Sequence, residues 1–151
     1  MGDLFKVGQV PVPPSYDELA NAGLVAPEDD ADRWFSPEEQ LTAAWLRDRG
    51  LGVRSVQRRE GRYLKTPDAA APEFAVTIEA KRAVATNNAI VQRIRSARWQ
   101  ARHVVVDLRG SGASRGLAES AMRAALRMYG TQLDEVILIV ADDLGVGWSH
   151  G

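Results

Sequence analysis

The sequence predicts an α/β (α+β) fold in which a mixed central sheet carries helices on both faces. Apolar residues recur every second residue in some segments and every third or fourth in others, which separates strands from helices. A turn supplied by Ala71-Pro72-Glu73 joins two predicted strands as an antiparallel hairpin. Two continuous apolar runs, at 103–108 and 135–141, each follow a predicted helix. Strands joined through helices pair in parallel by right-handed crossovers.

The predicted elements follow one another as helix, three strands, helix, strand, helix and strand. The first helix is expected at 37–49, because Ser36 and Glu39 form a capping box at its start. Its apolar stripe is expected to comprise Leu41, Ala44 and Trp45. The other predicted elements are strands at 53–58, 67–71, 74–81, 103–108 and 135–141 and helices at 88–102 and 117–129. The chain from residue 142 onward is expected to be a turn-rich end.

A chain of 151 residues is long enough for one domain with its own core. We divide it into an N-terminal arm, residues 1–35, and a body, residues 36–151. The arm is rich in Pro and is expected to pack on the body through Leu19 and Leu24. The arm has seven acidic and two basic side chains, whereas the body has 13 acidic and 17 basic ones. The body is therefore mildly basic, which is compatible with a nucleic-acid partner.

The composition also excludes several classes of protein. The absence of cysteine excludes disulfides and thiolate metal sites, and two histidines are too few for a histidine-rich zinc site. No stretch approaches the roughly 20 apolar residues of a membrane helix, and the chain does not start like a signal peptide. We therefore expect a soluble protein that is cytoplasmic at least when it is made.

A pair of acids and a lysine form the candidate catalytic site. Glu79 and Lys81 project from the same face of the strand at 74–81, because side chains alternate along a strand. If the preceding turn centres between residues 73 and 74, Asp68 lies opposite Glu79. Cross-strand Cβ atoms are about 5 Å apart, close enough for two carboxylates to hold one divalent cation. The alternative interpretation is a solvated strand face with a weak ion pair.

The order αβββαβαβ resembles the PD-(D/E)xK phosphodiesterase core of restriction-endonuclease-like enzymes, whose two motifs are matched by Pro67-Asp68 and Glu79-Ala80-Lys81. A closer resemblance, over 36–147, is to the C-terminal tRNase domain of contact-dependent growth-inhibition toxins. It is carried by Lys65-Thr66-Pro67-Asp68, Glu79-x-Lys81, Asn88-x-Ile90, Ala97-x-x-Gln100 and Val104-Val-Val-Asp107-x-Arg109. The segment Ala69-Ala70-Ala71-Pro72 departs from the Gly-bearing turn of that family.

This resemblance implies a toxin-type nuclease that cleaves RNA, with tRNA as its substrate. Asp68, Glu79 and Lys81 would be catalytic, and the two carboxylates would bind Mg²⁺ or Mn²⁺. The substrate-binding residues expected under this interpretation are Lys65, Asn88, Arg93, Arg98, Gln100 and Arg109. The resemblance is compatible with metal-dependent nucleases and with metal-independent ribonucleases of the barnase–colicin type. It also implies an immunity protein as a partner and action in the cytoplasm after delivery or secretion as part of a toxin system.

Several of these residues could have a structural role in place of a catalytic or substrate-binding one. Glu39 either caps the first helix or serves as an additional active-site acid, and Asn88 either caps a helix or contacts the phosphodiester. Gln100 points either to the site or to solvent, and Arg109 either binds substrate or forms a strand-end salt bridge with Asp107. The alternative function for the whole chain is a catalytically silent module that keeps the fold and binds nucleic acid or protein.

Overall fold

A six-stranded mixed sheet forms the centre of the protein in the computed structural model, which describes residues 12–58 and 66–150. The strands are β1 (Arg54–Ser55), β2 (Ala69–Ala71), β3 (Val76–Arg82), β4 (His103–Asp107), β5 (Glu135–Ala141) and β6 (Leu144–Ser149). They lie in the sheet in chain order. The pairs β3–β4 and β4–β5 are parallel and the other three pairs are antiparallel. The predicted fold class and strand order are confirmed.

Helices cover both faces of this sheet. The helices of the described chain are α1 (Tyr16–Asn21), α2 (Pro37–Asp48), α3 (Asn87–Ala97) and α4 (Arg115–Tyr129). Because β4 lies in the middle of the sheet, its valines alternate between the two layers. Val104 and Val106 pack in the core that α3 and α4 cover, whereas Val105 packs in the core beneath α2.

The apolar face of α2 differs from the predicted one. The buried side chains are Thr42, Ala43, Trp45 and Leu46, and Leu41 is 58% exposed. The Thr42 hydroxyl faces inward and donates a hydrogen bond of 3.3 Å to the buried carboxylate of Asp107. This hydrogen bond lets a polar residue share the buried face with Ala43, Trp45 and Leu46.

The prediction of a turn-rich end from residue 142 is also wrong, because residues 144–149 form strand β6. Its alternation of Leu144, Val146 and Trp148 is interrupted by glycines, which hid the strand from a hydrophobicity pattern. Packing explains why residue 145 is a glycine, since a Cβ built there would lie 2.8 Å from Cη2 of Trp45. The glycine lets a large ring of α2 lie directly on the edge strand.

The remaining differences concern boundaries. Residues 72–74 form a short 3₁₀ turn, so β3 begins at Val76 and not at residue 74. Helix α3 ends at Ala97, five residues before its predicted end, and α4 begins at Arg115, two residues early.

The described part of the arm contacts the body, as expected. Leu19 is fully buried against Val56 and Ala70, and Leu24 packs against the same cluster. The backbone N–H of Ala26 donates to the carbonyl of Ser55 at 2.9 Å. Whether residue 35 is the domain boundary stays a prediction.

Within the described ranges, no helix combines the length and apolar character needed to cross a membrane.

Candidate active site

The hairpin formed by β2 and β3 brings Asp68 and Glu79 face to face. Ala69 pairs with Ile78 in the antiparallel ladder, so the next residue on each strand is Asp68 opposite Glu79. The backbone N–H of Asp68 donates to Oε1 of Glu79 at 3.1 Å, and the N–H of Ala80 donates to Oδ2 of Asp68 at 3.2 Å. Each carboxylate is therefore held by the backbone of the opposite strand, in the register that the sequence predicted.

Lys81 completes the group on the same strand face. Its Nζ lies 3.1 Å from Oε2 of Glu79, and its side chain remains 23% exposed. The ammonium also lines a cavity of about 270 Å³ between the start of α2 and helix α3, with Ser36, Glu39 and Thr42 on one wall and Arg93 on another. We call this cavity the catalytic cleft. The lysine thus connects the buried acids to a space that solvent and a ligand can enter.

Burial sets the protonation state of the two acids. Asp68 is 8% exposed and Glu79 is 2% exposed. Burial, and next the charge of Glu79, raise the pKa of Asp68 to about 9. Burial also raises the pKa of Glu79, although Lys81 works against this. At neutral pH the pair therefore retains a proton unless another positive charge compensates both carboxylates.

Glu39 caps the start of α2, which is one of the two roles that the sequence left open, and its role as an active-site acid stays a prediction. Its Oε1 accepts a hydrogen bond of 2.8 Å from the N–H of Ser36, and its own N–H donates to the Ser36 hydroxyl, which completes the capping box. The same side chain hydrogen-bonds Asp68. Burial works to raise the pKa of Glu39, but the hydrogen bonds from Asp68 and Ser36 and the charge of Arg58 lower it. A third carboxylate, ionised at neutral pH, therefore borders the buried pair.

Two arginines near the acids were not among the predicted site residues. Arg58 is largely exposed, and its guanidinium lies 3.7 Å from Oδ1 of Asp68. Arg82 follows Lys81 on β3 and lines the catalytic cleft. Nothing in the sequence distinguishes Arg58 from its basic neighbours. For Arg82, the signal available was its position next to the E-x-K motif at the end of a strand.

The predicted substrate-binding residues separate into different regions. Arg93 lines the cleft, whereas Arg98 hydrogen-bonds Gln132 and lies 4.9 Å from the ring centroid of Tyr129, against α4. Asn88 is exposed in the first turn of α3, and the cap of that helix is Thr86, whose hydroxyl accepts from the N–H of Ala89. The capping role considered for Asn88 is therefore wrong. Lys65 lies outside the described residues.

Gln100 lies next to the site through the chain that precedes Asp68. Its amide donates to the backbone carbonyl of Thr66 at 3.4 Å. The side chain thus points toward the β2 segment, as one of the two sequence interpretations expected. Contact with a substrate remains a prediction for this residue.

Arg109 forms the strand-end salt bridge. Its guanidinium donates to both oxygens of Asp107, to Asp142 at 3.1 Å and to the carbonyl of Leu41 at 3.2 Å. Burial works to raise the pKa of Asp107, but the hydrogen bonds from Arg109 outweigh it and lower that pKa. The network ties the end of β4 to α2 and so fixes one wall of the site. The substrate-binding role of Arg109 stays a prediction.

The acidic residues offer a limited ligand set for a cation. In the described part of the chain, no group of three or more His, Asp and Glu side chains is arranged to hold a metal ion. Two adjacent carboxylates nevertheless fit the oxygen chemistry of Mg²⁺ or Mn²⁺, because Mg²⁺ usually binds one or two carboxylates and takes its other ligands from water and substrate phosphates. The donor set therefore fits an ion held jointly with a substrate and does not form a closed protein cage.

Comparison with known proteins shows the family through a family model and the fold through a solved structure. The family model described as "Contact-dependent growth inhibition CdiA C-terminal domain" matches residues 65–143, which contain the buried acids and Lys81. The fold is similar to a solved structure, the "CdiA-CT/CdiI toxin and immunity complex from Burkholderia pseudomallei", with a TM-score of 0.51. The two chains are 23% identical, and the match covers 75% of this chain and 83% of that one. A search of curated proteins finds no match.

Proposed function

Since this chain belongs to the family of contact-dependent growth inhibition CdiA C-terminal domains, we propose that its toxic activity is the cleavage of RNA phosphodiester bonds, with tRNA as the substrate. The observation that carries this proposal is the Asp68–Glu79 pair, buried at the edge of a basic cleft that contains Lys81. Two buried acids in contact destabilise a fold. Their presence here therefore indicates that they serve a function. A metal-assisted phosphodiesterase site is the function that fits their chemistry best.

Each side chain then has a defined task. A divalent ion, Mg²⁺ or Mn²⁺, would supply positive charge at the scissile phosphate, with Asp68 and Glu79 as its protein ligands. Lys81 orients the attacking water and offsets the negative charge that develops on the phosphate. Its 3.1 Å contact with Glu79 fixes the ammonium at the mouth of the cleft. Glu39 accepts a hydrogen bond in the same group and holds Asp68 in place.

The biological setting follows the family. We propose that the domain acts in the cytoplasm of a target cell after delivery and that a dedicated immunity protein neutralises it. The structural neighbour was solved as a toxin and immunity complex, which supports such a partner for this chain.

The test of this function is incubation of the purified protein with total RNA, with and without EDTA. Cleavage of tRNA that EDTA abolishes and Mg²⁺ or Mn²⁺ restores is the expected result. Cleavage that is unchanged in EDTA would overturn the role of the ion while keeping the nuclease. A protein that cleaves no RNA and binds no Mn²⁺ in a calorimetric titration would be the silent binding module.

A further inference from the structure

A second cavity, of about 420 Å³, adjoins the catalytic cleft. The two cavities share three lining residues, Glu38, Arg82 and Arg93. The second cavity is completed by the segment after β3 and by the turn that follows β4, at Gly110 and Ser111. A chain-like ligand that occupies the cleft can therefore continue into this second space without leaving the surface.

The end of β3 contributes basic side chains to both spaces. Lys81 and Arg82 are neighbours on β3, so their side chains leave opposite faces of the sheet. Lys81 follows the face of Glu79, whereas Arg82 pairs in register with Asp107 of β4. Arg93 reaches the shared wall from α3. The end of β3 thus presents Lys81 to the acids and Arg82 to the wall that the cleft and the second cavity share.

Two of the three arginines in the second cavity have guanidinium groups available for a ligand. Arg109 is committed to Asp107 and Asp142. Arg82 makes one hydrogen bond, of 3.3 Å, to the carbonyl of Arg109. Over residues 12–58 and 66–150, neither Arg82 nor Arg93 forms a salt bridge, and both side chains are exposed. One carboxylate, Glu38, faces these two cations.

This balance of charge fits a phosphate. A guanidinium donates two parallel N–H bonds to phosphate oxygens, and the guanidinium groups of Arg82 and Arg93, beside the one carboxylate that lines the cavity, leave a net positive site. Exposed Val84 also lines the cavity and offers an apolar surface next to the cations. A phosphate flanked by a sugar and a base matches both features.

We propose that Arg82 and Arg93 form a subsite for the RNA phosphate next to the one that occupies the catalytic cleft. The proposal rests on the nuclease function proposed above, because it takes the cleft as the place of the scissile phosphate. It adds Arg82 to the substrate-binding residues and gives Arg109 a positioning role, holding the wall of the cavity through Asp107.

The first test measures binding, so that it does not depend on cleavage. In an Asp68→Asn background, the Kd for a fluorescein-labelled single-stranded RNA of 12 nucleotides is compared with and without Arg82→Gln or Arg93→Gln. Each change is expected to weaken binding about tenfold, as loss of a charged hydrogen bond does. Each should also reduce the slope of log K against log salt by about 0.7.

Arg123→Gln is the matched control. Arg123 is exposed on α4, lines neither cavity, and has no salt-bridge partner in the described chain. Its substitution is expected to leave Kd and the salt slope unchanged. Equal weakening by all three substitutions, or no weakening by Arg82→Gln and Arg93→Gln, would overturn the subsite. Melting temperatures confirm that each variant is folded.

The second test locates the subsite on the substrate. Single phosphates of a cleavable RNA are replaced in turn by uncharged methylphosphonates. With Arg82 and Arg93 intact, the neutral linkage next to the scissile bond should slow cleavage, and in the Arg82→Gln, Arg93→Gln double variant it should add no further loss. If the rate losses caused by the neutral linkage and by the double variant are additive, the phosphate subsite is overturned, although the proposed nuclease activity is not. If the wild type cleaves no RNA, the proposed nuclease function fails, whereas a change in Kd confined to these two arginines would keep them as a phosphate site.

Discussion

Replacing Asp68 with Asn is expected to stabilise the protein in the absence of divalent ions, by an amount that grows with pH. The amide keeps nearly the shape of the protonated acid, and its oxygen can accept the hydrogen bond of 3.2 Å that the N–H of Ala80 donates to Asp68. The substitution also removes the carboxyl group of Asp68, whose ionised form burial disfavours. The variant therefore mimics the protonated site at every pH.

The magnitude follows from the two pKa values. The pKa of Asp68 is raised from an ordinary 3.8 to about 9 in the folded protein. Between those values the folded state keeps a proton that the unfolded chain has lost, so the stability of the wild type falls as pH rises. Each pH unit within this window costs about 1.4 kcal/mol. From pH 5 to pH 7 the variant should thus gain about 3 kcal/mol over the wild type.

The assay is urea unfolding in EDTA at several values between pH 5 and pH 7, with the free energies of wild type and variant subtracted at each pH. The subtraction cancels groups that titrate alike in both proteins. Asp134→Asn is the control, because a hydrogen bond from Arg102 lowers the pKa of Asp134, which stays ionised throughout this range. Its effect should be independent of pH. A difference for Asp68→Asn that is flat, or that shrinks as pH rises, would refute the protonated, buried acid.

Three further changes are expected to separate the roles of neighbouring residues. Lys81→Ala should abolish RNA cleavage while leaving Mn²⁺ binding measurable by calorimetry, because an ammonium is not a metal ligand; loss of Mn²⁺ binding would show that the lysine organises the acids instead. Glu39→Ala should cost about 1 kcal/mol of stability through the lost cap, and Glu39→Gln, which can keep the cap, should cost less in thermal unfolding; equal costs would contradict the capping role. Gly145→Ala should destabilise the protein by about 1–3 kcal/mol through overlap with Trp45, whereas Gly147→Ala, which meets no atom within 4 Å, should not; equal melting temperatures would contradict this packing.

The sequence was sufficient for the hairpin because local patterns determine it. Alternation within residues 74–81 identified the strand, and a turn centred between residues 73 and 74 gave the register that places Asp68 opposite Glu79. The capping box at Ser36 likewise predicted the start of α2. These features depend on residues close in sequence, so they can be predicted from one amino-acid sequence.

Features that depend on distant partners were not predictable in this way. Strand β6 is interrupted by glycines, and one of them, Gly145, makes room for the ring of Trp45, about a hundred residues earlier. Thr42 lies inward, where it donates to Asp107, and the two arginines of the proposed subsite come together only where β3 and α3 meet at one cavity. The contact between Glu39 and Asp68 also joins two elements, and local sequence could only offer capping as the simpler interpretation.

Cleavage of purified tRNA by the wild type, Asp68→Ala and Glu79→Ala tests the assignment of the catalytic centre most directly. The exposed ion pair of Arg115 and Glu119, 2.8 Å apart on α4, provides the control variant Glu119→Ala. The wild type and Glu119→Ala should cleave tRNA, while both hairpin variants should be inactive and still fold, as their melting temperatures will report. Cleavage that survives both Asp68→Ala and Glu79→Ala would contradict the catalytic centre described for this hairpin.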